Sequence, residues 1–199
     1  MKSTSTRRSS QGFCGTPAGP SITPRSGRTS EVLQVAELLR QRGTEFLGLT
    51  CDGNELSGLT ARTLKLPVTE ESTVMTSSFT SMLMALQYIA ARFARQEEFV
   101  DALRSLPAAL AGLLPIYGPE LQHFAQQSFD DVAFLAQGAL YPIASETALK
   151  VMESSSSYAQ FFHTLEFRHG PKSIVSRKVL VGALLSETGY GKRARSCWR

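Results

Sequence analysis

The stretch that most constrains this chain runs from Gly138 to Val175, GALYPIASETALKVMESSSSYAQFFHTLEFRHGPKSIV. An apolar run, Val132 to Ala136, leads into it through Gln137 and Gly138. Pro142 suits the first turn of a helix, where its missing N–H costs nothing. From there to about Glu153 the apolar residues Ile143, Ala144, Ala148, Leu149, Val151 and Met152 cover most of the circumference, which predicts a buried helix. Glu146, Lys150 and Glu153 interrupt that surface at i, i+4 and i+7, so they share one face. Two carboxylates and an ammonium on a buried helix must face each other, water or a ligand, because burying a lone charge is costly. One helix and a loop further on comes Arg168-His169-Gly170-Pro171-Lys172, a cationic turn bent by Gly-Pro. A carboxylate on a helix and an imidazole on a loop are suitable parts for proton-transfer chemistry. The same residues equally describe a solvated face with a weak ion pair and an ordinary loop histidine.

Upstream, strands and helices alternate. Pro24-Arg25-Ser26-Gly27-Arg28-Thr29-Ser30-Glu31 precedes a helical run of Val32, Leu33, Val35, Ala36, Leu38 and Leu39 that ends near Gly43. A Ser/Gly/Thr loop entering a helix presents N–H groups, hydroxyls and the positive dipole end, which suits a phosphate. Ser and Thr are also the commonest helix caps. Glu45 to Cys51 reads as a strand closed by the turn Asp52-Gly53-Asn54, and Thr63 to Val68 as another. Strand–helix–strand at this spacing implies parallel strands with helices on the faces. A hydroxyl-rich segment, Thr69 to Ser81, then enters a long apolar helix, Met82 to about Phe93. Residues 97–127 read as two helices broken by Pro107, Pro115 and Gly118-Pro119, with Leu and Ala content suited to packing and dimer contacts. Lys178 to Leu185 is a further strand, followed by Ser186-Glu187-Thr188-Gly189-Tyr190.

Composition narrows the function classes. An apolar share of 42% over 199 residues is enough for a core, and without a run of 18 apolar residues no membrane span is expected. Cys14, Cys51 and Cys197 lack metal spacing and read as free thiols in a reducing compartment. The formal charge of +4 belongs to the two ends: residues 1–30 hold five Lys/Arg and residues 191–199 four, with no acid in either. Between Glu31 and Tyr190 stand 12 cations against 17 acids, a net of −5. That balance, without Arg/aromatic interleaving, gives no nucleic-acid surface. Residues 1–20, rich in Ser, Thr, Gly, Pro and Arg, are expected to be disordered; an acid-free, Ser/Arg-rich start also fits an organelle transit peptide.

The spelling YPIASETALKVMES…EFRHGPKSIV resembles the second half of the sugar isomerase (SIS) domain family. Within that family it is similar to the tagatose-6-phosphate ketose/aldose isomerases and the isomerase domain of glucosamine-6-phosphate synthase, and the likeness is dense over about forty residues. It implies an α/β fold, a flavodoxin-like parallel sheet with helices on both faces, built as tandem halves. On that basis residues 1–23 are a disordered or unrelated segment, 24–127 a partial first half, 128–190 a partial second half and 191–199 a basic tail. Both ends then read as truncated relative to the family.

The resemblance also implies a chemistry: aldose–ketose isomerisation of a sugar phosphate through an enediol, or the related deamination. Glu153 matches the proton-shuttling glutamate, His169 the ring-opening histidine supplied to the neighbouring subunit's site, and Lys150 a lysine that orients Glu153. Ser26, Gly27 and Thr29 match a phosphate loop of the form S-x-S-G-x-T, with Pro24 at the first Ser; Ser26 and Thr29 are expected to bind phosphate. Thr76 and Ser77 are candidates for sugar hydroxyls, with helix capping as the alternative. No metal or organic cofactor is implied, because cationic side chains and hydroxyls can meet enediol charge. The expected partners are a sugar phosphate and a second copy in a homodimer, with neither nucleic acid nor membrane, in the cytoplasm. The alternatives are a non-catalytic phosphosugar-binding module and an inactive truncated fragment.

Overall fold

The computed structural model describes residues 19–52 and 55–186. The described residues divide into two compact units, 19–71 with 76–95, and 72–75 with 96–186. The expectations for residues 1–18, for Gly53-Asn54 and for 187–199 lie outside the described residues.

The first unit contains β1 (Ser21–Ile22), α1 (Ser30–Gln41), β2 (Leu47–Thr50), α2 (Glu55–Leu59), β3 (Thr63–Lys65) and α3 (Ser77–Phe93). β2 is central, with β1 and β3 parallel on either side. Alternate residues of a strand face opposite sides of the sheet, and β2 uses both. A Cβ on Gly48 would lie 3.0 Å from the Leu56 side chain, so this position lets α2 close on one face. There Leu56 packs with Ile22, Ala36 and Phe46. Leu49, pointing the other way, packs with Cys51 and Met82 of α3.

The second unit contains α4 (Glu97–Ala125), β4 (Asp131–Ala136), α5 (Tyr141–Ser155), β5 (Ala159–His163) and β6 (Val179–Ala183). Its strands are parallel in the order β5-β4-β6. β4 is covered on both faces and reads as a nearly continuous apolar run, as central parallel strands do. Val132 packs with Ala148 and Ala159, while Ala133 and Leu135 pack with Phe167. Both units are therefore parallel α/β structures, as the strand–helix–strand spacing implies.

Four details differ from the sequence reading. The segment between Glu153 and Arg168 holds a strand, β5, where a helix and loop are expected; hydrogen bonding to β4 decides a five-residue segment that periodicity leaves ambiguous. α4 is one helix of 29 residues despite Pro107, Pro115 and Pro119. Each proline costs one intrahelical hydrogen bond, and the Leu- and Ala-rich turns between them propagate the helix through the exposed stretch 104–117. α4 is also long and apolar enough to cross a membrane by length and composition, with a mean hydropathy of 1.4 over its most apolar window and 11% of that window buried. Ser, Gly and Pro within it hide this from a test for uninterrupted apolar runs. Finally, α5 buries only Ala144 and Ala148 completely, and Leu149 and Met152 are exposed, so the helix is half-buried.

Candidate functional site

In the first unit, the Arg25–Thr29 loop connects β1 to α1 and is pinned to the end of β2. The Arg25 carbonyl accepts the N–H groups of Cys51 at 2.9 Å and Asp52 at 3.1 Å. The Thr50 hydroxyl, fully buried, lies 2.9 Å from the same carbonyl and 2.7 Å from that of Asp52. Gly27 turns the chain with φ +64°, a left-handed conformation that glycine adopts without steric cost. The Arg28 N–H donates to Ser26 Oγ at 3.2 Å. Thr29 occupies the N-cap position of α1, yet its side chain makes no capping hydrogen bond. The first-turn N–H groups of α1 have no acceptor within the helix. Ser26, Gly27 and Thr29 thus stand together at a helix N-terminus.

A cleft of ≈ 460 Å³ opens beside this loop, lined by Arg25, Ser26, Cys51, Asp52 and the segment Lys65 to Glu70. Lys65 Nζ lies 4.0 Å from Asp52 Oδ1. Burial pushes the Cys51 thiol up in pKa; the Arg25 charge opposes this and the Glu70 charge reinforces it.

Glu70 is the residue whose role the sequence hides most. Its carboxylate accepts the Ser78 N–H at 2.9 Å, the Ser78 hydroxyl at 2.8 Å, the Thr76 N–H at 2.9 Å and the Thr76 hydroxyl at 3.2 Å. The donors of Ser78, then Thr76 and the Ser77 hydroxyl, hold its pKa down at about 2. A carboxylate from six to eight residues upstream therefore caps α3, and Thr76 and Ser77 both face it. Thr76 sits at the N-cap position without capping through its own side chain.

In the second unit, β4 ends at Ala136, and a 3₁₀ turn at Gly138–Leu140 leads into α5. Pro142 lies in the first turn of α5. Lys150 Nζ stands between two carboxylates, 3.3 Å from Glu146 Oε1 and 2.5 Å from Glu153 Oε2. Lys150 and Glu146 are about one-fifth exposed (22% and 21%) and Glu153 38%. Partial burial works against the ammonium, but the hydrogen bonds to Glu153 and Glu146 hold its pKa above the ordinary lysine value. The i, i+4, i+7 face expected from sequence is a real ion cluster. His169 lies elsewhere in this unit, on an exposed turn after β5, with its N–H donating to the Glu166 carbonyl at 2.9 Å. Gly170 follows with φ +135°, a conformation closed to other residues. Among the described residues no hydrogen bond or ion pair joins His169 to the lysine–glutamate cluster.

The sequence reading passes over one further group. Gln137 Oε1, His163 Nδ1 and Thr164 Oγ1 are buried without a hydrogen-bond partner, at the C-terminal ends of β4 and β5. His163 stacks on Tyr141 of α5 with ring centroids 3.6 Å apart. β4, flanked by β5 and β6, is where the strand order reverses, and in open parallel sheets ligands bind at such carboxyl ends. A run of isolated polar residues at strand ends is the only signal that sequence offers for them. Among the described residues no cluster of three or more His, Cys, Asp or Glu side chains suits a metal ion.

Comparison with known proteins gives a consistent picture. Residues 22–92 match the SIS domain family model. The chain is 29% identical over 187 residues to a glutamine–fructose-6-phosphate aminotransferase (isomerizing) of Bordetella pertussis, covering 86% of this chain and 30% of that protein. Among solved structures it resembles glucosamine-6-phosphate deaminase from Thermotoga maritima, with a TM-score of 0.72 and 28% identity over 88% of this chain and 56% of that one. It also resembles tagatose-6-phosphate ketose/aldose isomerase from Escherichia coli, with a TM-score of 0.70 and 27% identity over 89% and 52%. The chain thus spans about a third of the curated relative's length and a little over half that of the two solved structures.

Proposed function

We propose that this chain, which belongs to the SIS domain family, binds a sugar phosphate and interconverts aldose and ketose forms, or carries out the related deamination, through an enediol. Moving a carbonyl between C1 and C2 needs one base that removes a proton from one carbon and returns it to the neighbour. Glu153 is assigned that role, Lys150 orients it and balances negative charge, and His169 assists ring opening. Ser26, Gly27 and Thr29 hold the phosphate, and Thr76 and Ser77 meet sugar hydroxyls. No metal or organic cofactor has a place in this scheme.

The observation that carries the reading is the Glu153–Lys150–Glu146 cluster, an ionised group on a helix whose buried alanines fix its position. It is supported by the phosphosugar isomerase and deaminase relatives. Residues 24–127 and 128–190 are assigned as the two repeated halves, consistent with two separate parallel sheets. A homodimer in the cytoplasm completes the proposal, with the exposed apolar surface of α4 as its natural contact.

The test is Glu153→Gln, assayed by NMR for exchange of the substrate C1 or C2 proton with deuterium from solvent, using fructose 6-phosphate, tagatose 6-phosphate and glucosamine 6-phosphate in turn. The expected result is exchange with the unaltered chain and a loss of at least ~10²-fold in the variant, with sugar-phosphate affinity within a few-fold of the unaltered chain. Exchange that survives the substitution removes Glu153 from the mechanism. A second reading is a non-catalytic phosphosugar-binding module, in which the Lys150–Glu153 pair is only a salt bridge on a partly exposed helix face. Tight binding without exchange selects it.

A further inference from the structure

The cleft beside the Arg25–Thr29 loop contains two cations that the loop pattern S-x-S-G-x-T does not call for. Arg25 and Lys65 both line it together with Ser26, and Pro24 offers neither a hydroxyl nor an N–H where the pattern has a serine. We propose that Arg25 and Lys65 are the anion-recognition element of this chain, holding a phosphomonoester dianion seated at Ser26 in place of the missing hydroxyl; this rests on the phosphosugar reading above.

Three observations carry the proposal. First, Arg25 is held at the cleft: three donors grip its carbonyl, the residue is half-buried, and it lines the cleft together with Ser26 and Cys51. Second, the anions lining the cleft already have partners. The Glu70 carboxylate is committed to the N-terminus and hydroxyls of α3. Asp52 faces Lys65 at 4.0 Å, with the two side chains 69% and 59% exposed, a pair so solvated that it contributes little and opens readily. Third, the shapes suit the ligand. A guanidinium matches two phosphate oxygens at once, while an ammonium on a flexible stem supplies a mobile point charge. A cleft of ≈ 460 Å³ falls in the range that holds small organic ligands. Asp52 then acts as a placeholder that a dianion displaces from Lys65.

The experiment is isothermal titration calorimetry on the full chain with inorganic phosphate and with fructose 6-phosphate, each at low and high ionic strength. Arg25→Gln and Lys65→Gln are each expected to raise Kd about tenfold for both probes and to flatten the salt dependence, because charge attraction is what salt screens. Arg25→Lys should fall between, keeping charge without the bidentate fork. Ser26→Ala should weaken binding and leave the salt dependence intact. Urea midpoints of the variants report whether each still folds. If both Gln variants bind with unaltered affinity and salt dependence while Ser26→Ala weakens binding, the two cations are excluded and the phosphosugar reading stands. If the unaltered chain binds neither probe, both fall together.

Discussion

Replacing Thr50 by Val tests the link between the first unit's core and its candidate anion loop. The two side chains are close in shape, so the change removes a hydroxyl and little else. That hydroxyl is fully buried and lies 2.9 Å from the Arg25 carbonyl and 2.7 Å from the Asp52 carbonyl. A hydrogen bond contributes about 1 kcal/mol, and a buried group that loses its partner costs about 1–3 kcal/mol. The Arg25 carbonyl keeps the N–H groups of Cys51 and Asp52, which puts the expected loss near the lower end, about 1.5 kcal/mol. For a chain of this size that corresponds to a fall in Tm of roughly 3–6 °C. The same bond sets the height of the loop above β2, so phosphate affinity should weaken by roughly three- to tenfold with it. The assays are urea denaturation followed by circular dichroism and calorimetric titration with inorganic phosphate. Thr50→Ser, which keeps the hydroxyl, should recover most of the affinity. A Thr50→Val chain as stable as the unaltered one, with undiminished phosphate affinity, would refute the claim that this hydroxyl positions the loop.

Two further outcomes are expected. The Glu70 carboxylate is held at about pKa 2 against an ordinary 4.5, so its contribution to stability is whole above the ordinary value and is lost as pH falls from there toward 2; in thermal melts across that range, Glu70→Gln should flatten the acid-side decline, and an unchanged decline contradicts the capping role. Leu114, 68% exposed on α4, sits on the proposed dimer surface: light scattering should find a dimer for the unaltered chain and a monomer for Leu114→Glu, whereas a monomeric unaltered chain removes the interface.

The alternation of strands and helices is legible in the sequence because period and punctuation are local properties. Val32 to Leu39 carries a helical stripe and Pro142 marks a helix start, while the run at 132–136 is legible as apolar and becomes a strand through its pairing with β5 and β6. The Glu146–Lys150–Glu153 cluster is equally readable, since spacing along one helix fixes which side chains meet. Where local signals are short or contradictory, reading fails. β5 is five residues after four serines, and its strand state comes from pairing with β4. The prolines of α4 signal breaks, but the Leu- and Ala-rich turns between them carry the helix through. β1, at two residues, exists only as a partner of β2.

What sequence alone determined about this protein is therefore its class, a parallel α/β chain with a hydroxyl–glycine loop before one helix and an ionic face on another. Tertiary structure decided which groups meet across distance: Thr50 with the carbonyl of Arg25, Glu70 with the first turn of α3, and Arg25 with Lys65 around one cleft. The reason is physical. Periodicity records which face of an element is apolar, whereas hydrogen bonds and charge pairs between elements depend on strand register and on how closely residues such as Gly48 let a helix approach, and neither is written in the local pattern.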